Sequence, residues 1–71
     1  MSKKIQDAFI ILRRKEVESR TGLSRSTIYA RIAAGEFPAP INLGSERAVG
    51  WLEAEVNQWI KLKISESRRG I

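Results

Sequence analysis

"TGLSRSTIYARIAAGEFPAP", residues 21–40, carries the punctuation of a helix with a marked start and a marked stop. Ser24 is a good N-cap, because its hydroxyl can accept from the backbone N–H of residue 26 or 27. Ile28 and Ile32 are four apart and define a buried stripe, with Leu23 just before it. Gly35 closes the helix, and Phe37-Pro38 turns the chain away. Unlike an ordinary surface helix, this one carries little Glu/Lys decoration on its outer face. With Ile28 and Ile32 turned inward at roughly 100° per residue, Ser26, Ala30 and Ala33 point the opposite way. Thr27 and Tyr29 flank them, Arg25 lies to one side near the helix start, and Arg31 lies to the other.

Upstream, a short helix is predicted from Arg14 or Lys15 to Thr21, with Val17 as its one strongly apolar residue. Gly22 ends it, able to take positive φ without a Cβ clash. Two short helices joined by the tight turn "TGLS" form a helix-turn-helix arrangement. Before them, "FIIL" (Phe9 to Leu12) is either an edge strand or an extended segment on the core. Residues 1–8 have no periodicity and are expected to form a flexible arm.

Downstream, "PINLGSERAVGW" has the alternation of a β-hairpin: Ile41 and Leu43, a turn at Gly44-Ser45-Glu46, then Val49 and Trp51. A lone hairpin is marginal in water, so it needs helices against one face. The last helix supplies one, with Leu52, Val56, Trp59 and Ile60 in a single stripe. Its first turn holds Glu53 and Glu55 and its last Lys61 and Lys63, both favourable to the helix dipole. The polar "SESRRGI" is expected to be a flexible tail. The predicted fold is therefore mostly α with a small β-hairpin, a winged helix-turn-helix over residues 9–64, between an arm at 1–8 and a tail at 65–71.

At 71 residues the chain has room for one domain. So small a domain buries only about 60% of the surface its unfolded chain exposes, and nearly every large apolar side chain must join the core. Trp51 and Trp59 therefore read as core, although aromatics can also stack on bases. The chain contains no cysteine and no histidine. Disulfides, thiolate metal sites and cysteine nucleophiles are excluded, along with the usual general base near neutral pH. No Asp/Glu cluster marks a cation site or an acid/base pair, so neither catalysis, cofactor, metal nor small-molecule ligand is expected. No run approaches the roughly 18 apolar residues of a membrane span, and "FIIL" is too short for a signal-peptide core. The expected location is cytoplasmic, with no membrane partner.

The net charge is +5, and its placement is uneven. Residues 1–34 hold eight Lys/Arg against three acids, whereas residues 35–71 hold five of each sign. Such asymmetry attracts polyanions over long range. A small-residue helix face beside it suits the DNA major groove, roughly 12 Å wide, which such helices enter with their N-terminal residues leading. Candidate contacts to double-stranded DNA are Arg25, Ser26, Thr27, Tyr29 and Arg31 on the helix, with Arg47 beside the hairpin turn. Arg14 and Lys15 join them, since both sit at a helix start where the dipole disfavours them. Each has a plainer alternative. Arg25 and Arg31 can form surface ion pairs, Ser26 and Thr27 can serve the cap, and Tyr29 can rest on the domain edge.

"TGLSRSTIY", "GEFPAPINLG", "RAVGW" and "EVNQWI" together resemble the AlpA family of small phage and prophage transcriptional regulators. The resemblance covers about residues 9–64 in the same order and spacing. That family is similar to the excisionases and to the DNA-binding domains of MerR-type regulators. It implies a winged-helix variant with Ser24 to Ala34 as recognition helix and Ser45 to Arg47 as wing. By position, Arg25, Ser26, Thr27 and Tyr29 would face DNA. Where Ala30 stands, the family often carries a larger basic residue. The resemblance further implies a regulator of genes on a mobile element.

Two alternatives stay open. One is an excisionase-type architectural factor that bends DNA for a site-specific recombinase, with the recombinase or a second copy of the chain as partner on DNA. The other is a winged-helix protein-interaction module, for which the basic bias of the N-terminal half would serve no purpose.

Overall fold

A computed structural model describes residues 9–69. The arm expected at 1–8 lies outside the described residues, as do the last two residues of the tail. The elements follow in the order β1 (Ile11–Leu12), α1 (Arg14–Thr21), α2 (Arg25–Ala33), β2 (Ile41–Ser45), β3 (Ala48–Leu52) and α3 (Glu53–Arg69).

Local chemistry accounts for both short helices. At the start of α1 the Arg13 backbone N–H donates to Glu16 Oε1 at 3.1 Å, satisfying a donor the helix cannot reach. Gly22, at φ 76°, ends it, and its N–H bonds back to the Glu18 carbonyl. Thr21 Oγ1 donates to the Val17 carbonyl at 2.7 Å and accepts from Leu23 N–H at 3.2 Å, which stitches the turn to the next helix. Ser24 caps α2, accepting from Thr27 N–H at 3.3 Å. At the other end Glu36 N–H reaches the Arg31 carbonyl and Gly35 N–H the Ile32 carbonyl, with Gly35 at φ 75°. That pair of bonds is the Schellman arrangement, and it needs a residue free to turn left-handed.

The three strands form one antiparallel sheet in the order β1-β3-β2. The expected hairpin is present, and "FIIL" contributes the edge strand, with Ile11 opposite Leu52 and Leu12 opposite Trp51. Two sequence expectations need correction here. The hairpin turn falls at Glu46-Arg47, whereas Gly44-Ser45-Glu46 was expected. Asn42 Oδ1 accepts from Gly44 N–H at 2.7 Å, and Gly44 at φ 118° lets Leu43-Gly44 bulge between the Asn42–Val49 and Ser45–Ala48 pairs. The glycine thus serves the bulge, and β2 resumes at Ser45. Leu52, expected in the last helix, instead ends β3; the chain passes into α3 without a loop, Glu53 N–H bonding the Ile10 carbonyl at 2.8 Å.

The stretch from residue 65, expected to be a flexible tail, is helical as far as Arg69, although its apolar periodicity has lapsed. A Lys63–Glu66 pair at 3.3 Å spans the turn, and Arg68 and Arg69 meet the negative end of the dipole.

Leu12, Val17, Ile28, Phe37, Trp51 and Val56 make the buried core, flanked by half-buried Leu23, Ile32, Val49, Trp59 and Ile60. Both tryptophans join it, as their stripes predict, but unequally. Trp51 is fully buried on the central strand, its Nε1–H donating to the Pro38 carbonyl at 2.9 Å. Trp59 is half-buried, packed edge-to-face on Phe37 with its Nε1–H on the Glu36 carbonyl.

Gly50 is the tightest position of the sheet. A Cβ there would collide with Ile11 Cγ2 and stand 3.1 Å from the Leu12 carbonyl oxygen, a backbone atom that cannot step aside. Gly50→Ala is expected to destabilise by about 1–3 kcal/mol, a drop in Tm of roughly 4–8 °C per kcal/mol in a domain this size. A melt that matches the wild type would show that β1 can slide away freely.

Candidate nucleic-acid interface

α2 presents the surface predicted for it. Ile28 is fully buried and Ile32 half-buried, while Ser26, Ala30 and Ala33 are exposed on the opposite side. Arg25 is exposed near the helix start, and Tyr29 lies beside it. Thr27 is more committed than Ser26, since its hydroxyl accepts from the Ser24 hydroxyl at 2.9 Å within the cap.

Tyr29 is a pedestal as much as a surface residue. Its ring meets Trp51 edge-on at 6.3 Å between centroids, and the Arg25 guanidinium carbon lies 5.9 Å above it. A chain of contacts therefore runs from the core tryptophan to an exposed cation. Holding Arg25 this way is worth about 0.5–1 kcal/mol at an exposed site, small for stability but enough to narrow its orientations.

Beside this face lies an open groove lined by Arg13, Arg14 and Lys15, by Arg25 and Tyr29, and by Pro40, Glu46, Arg47 and Val49. The first helix, the second helix and the hairpin thus supply five cations against one carboxylate. Arg14 is partly neutralised by Glu18 at 3.0 Å. Among the described residues no carboxylate comes within 4 Å of the charged nitrogens of Arg13, Lys15, Arg25 or Arg47. Glu18 is thus taken by Arg14, and the surface pairing open to Arg25 on sequence grounds does not form.

Of the sequence candidates, Ser26, Thr27, Arg31 and Ser45 do not line the groove. Arg31 is half-buried on the other flank of α2, its guanidinium carbon 6.0 Å from the Trp59 ring. Ser45 is exposed but pairs with Ala48 in the ladder and does not line the groove. Arg13 was the omission. It opens the "RRK" run that supplied Arg14 and Lys15, and the run was the signal. Pro40, Glu46 and Val49 also line the groove, and none carries the positive charge by which the other candidates were found.

Among the described residues no helix is long and apolar enough to cross a membrane, and no three His, Cys, Asp or Glu side chains gather where they could hold a metal.

Residues 10–64 match the family described as the prophage CP4-57 regulatory protein AlpA. The chain belongs to the AlpA family. The matched segment runs from just before β1 into α3 and contains every residue of the groove. Among curated relatives, the DNA-binding transcriptional activator AlpA of Escherichia coli K12 is 36% identical over 61 residues, covering 78% of this chain and 86% of the relative. The uncharacterized protein ORF88 of Enterobacteria phage P4 is 48% identical over 59 residues, covering 83% of this chain. The alignment spans 66% of the length of ORF88. AlpA membership agrees with the mostly helical fold and its small antiparallel sheet.

Proposed function

We propose that this chain is a sequence-specific regulator of transcription that binds double-stranded DNA on a phage, prophage or other mobile element. α2, from its cap at Ser24 to Ala34, enters the major groove, and the hairpin over residues 41–51 rests on the flanking backbone. The observation that carries this is the juxtaposition of an exposed small-residue face, Ser26, Ala30 and Ala33, with a groove of five cations. The kinship with a DNA-binding transcriptional activator supports the same reading.

The dimensions agree. An α-helix with its side chains is about 10–12 Å across, which fits the roughly 12 Å width of the major groove. Small side chains at the centre of the face let its backbone approach base edges. In this pose Arg25 and Ser26, at the helix start, meet bases. Tyr29 orients Arg25, while Lys15 and Arg47 meet phosphates on either side. A single module of this size buries about 600–1,000 Å² of its own surface on DNA, so stable occupancy draws on a second copy at an adjacent site.

Counterion release tests the electrostatic part. If about five phosphates are neutralised, log affinity falls against log salt with a slope near −4.5. Titrations of a labelled duplex across salt concentrations measure that slope, and binding indifferent to salt would contradict the proposal.

A further inference from the structure

The Arg13 side chain reaches from the start of α1 to the inner strand of the hairpin, where its Nε–H donates to the Val49 carbonyl at 3.0 Å. The two residues are 36 positions apart, so the bond joins the helix-turn-helix to the wing. Its own backbone is occupied as well, the N–H by Glu16 Oε1 and the carbonyl by the N–H groups of Glu16 and Val17. Among the described residues its terminal guanidinium nitrogens have no hydrogen-bond partner and no carboxylate. Yet the residue is exposed and lines the groove with Arg25, Tyr29 and Arg47.

A guanidinium carries five N–H donors in one rigid plane. Fixing Nε on a carbonyl removes much of the rotational freedom of the side chain and sets the direction of the remaining fork. A ligand arriving there finds the ordering cost already met, the usual source of gain from preorganisation. The fork matches two oxygens of a phosphate, which arginine binds in bidentate fashion.

We propose that Arg13 is a pre-oriented phosphate ligand. With Nε held by the hairpin, its terminal nitrogens grip one phosphodiester of the duplex backbone between the start of α1 and the wing. This rests on the duplex-binding function proposed above and adds a contact to it. Lysine cannot do the same, since its single ammonium cannot hold the carbonyl and keep a planar fork for the phosphate. The first helix and the wing then clamp one phosphate as a unit, which sets how α2 sits against the groove.

The test compares the wild type, Arg13→Gln and Arg13→Lys on one labelled duplex from about 50 to 200 mM salt, with a melt of each protein. Arg13→Gln should flatten the log–log slope by about 0.9, losing about 3.5-fold less affinity than the wild type over that range. Arg13→Lys keeps its charge and should keep the slope, while binding more weakly at every salt concentration. Both variants lose the bond to Val49 and can melt lower, so only the slope separates a phosphate ligand from a structural strut. An unchanged slope in Arg13→Gln overturns the proposal whatever its Tm. If Arg13→Gln does not fold, the wild type answers by NMR: duplex should slow exchange of the terminal guanidinium protons of Arg13, and unaltered exchange overturns the proposal. A wild type that binds no duplex, or binds without salt dependence, removes the DNA reading itself, which is a separate result.

Discussion

Trp51→Ala is expected to bring the domain to the edge of unfolding at 25 °C. Trp51 is fully buried on the central strand, is paired in register with Leu12 of the edge strand, and meets Tyr29 of the second helix. Removing a buried tryptophan costs about 3–5 kcal/mol, from lost transfer energy and the cavity left behind. A chain this short stands near the low end of the usual 5–15 kcal/mol of stability, so that loss consumes most of it. The Pro38 carbonyl would also lose its indole donor. Thermal and urea melts followed by circular dichroism measure the effect. A Tm within a few degrees of the wild type would mean that the core closes without Trp51. Trp59→Ala should cost less, because Trp59 is only half-buried.

The second large effect concerns recognition. Arg25→Ala is expected to weaken binding to the specific site by about 1–3 kcal/mol, the worth of a good bidentate base contact. The loss on random duplex should be smaller, so the ratio of the two affinities falls. Stability should fall by no more than about 1 kcal/mol, the worth of the contact with the Tyr29 ring, because Arg25 is exposed and makes no ion pair among the described residues. Parallel titrations on specific and random duplexes decide the matter. Equal losses on both would reassign Arg25 to a phosphate, and no loss on either would take it out of the interface.

What could be read from the sequence was what local chemistry controls. Ser24, Gly22 and Gly35 bracket the two short helices by capping and by positive φ, needs that a few neighbouring residues express completely. The inward turn of Ile28 followed from spacing alone, and so did the exposure of Ser26 and Ala30 opposite it. Pairings between distant segments were harder to see. Leu52 fits the apolar stripe of α3 by spacing, yet Ile11 claims it for the sheet, and a two-residue strand leaves almost no pattern of its own. The turn lies closer to Arg47 than expected because the Asn42 side chain bonds Gly44 N–H, a contact that composition does not announce.

The candidate site divides along the same line. A helical wheel orders residues by angle but does not say which neighbour stands at each angle. Arg25 and Arg31 flank one face almost symmetrically; the fold sets the first above Tyr29 in the groove and the second against Trp59 outside it. Arg13 looked like a residue before a helix, and only the Val49 carbonyl, far along the chain, brings it to the groove.

Major-groove protection at guanine N7, mapped by methylation on the DNA surrounding the protein's own gene, tests the central claim most directly. The orientation of α2 predicts protected guanines within one short stretch, one of which Arg25→Ala exposes again, with backbone protection on the flank where the hairpin lies. Unchanged guanine N7 reactivity in a duplex that the protein demonstrably occupies would place α2 outside the major groove.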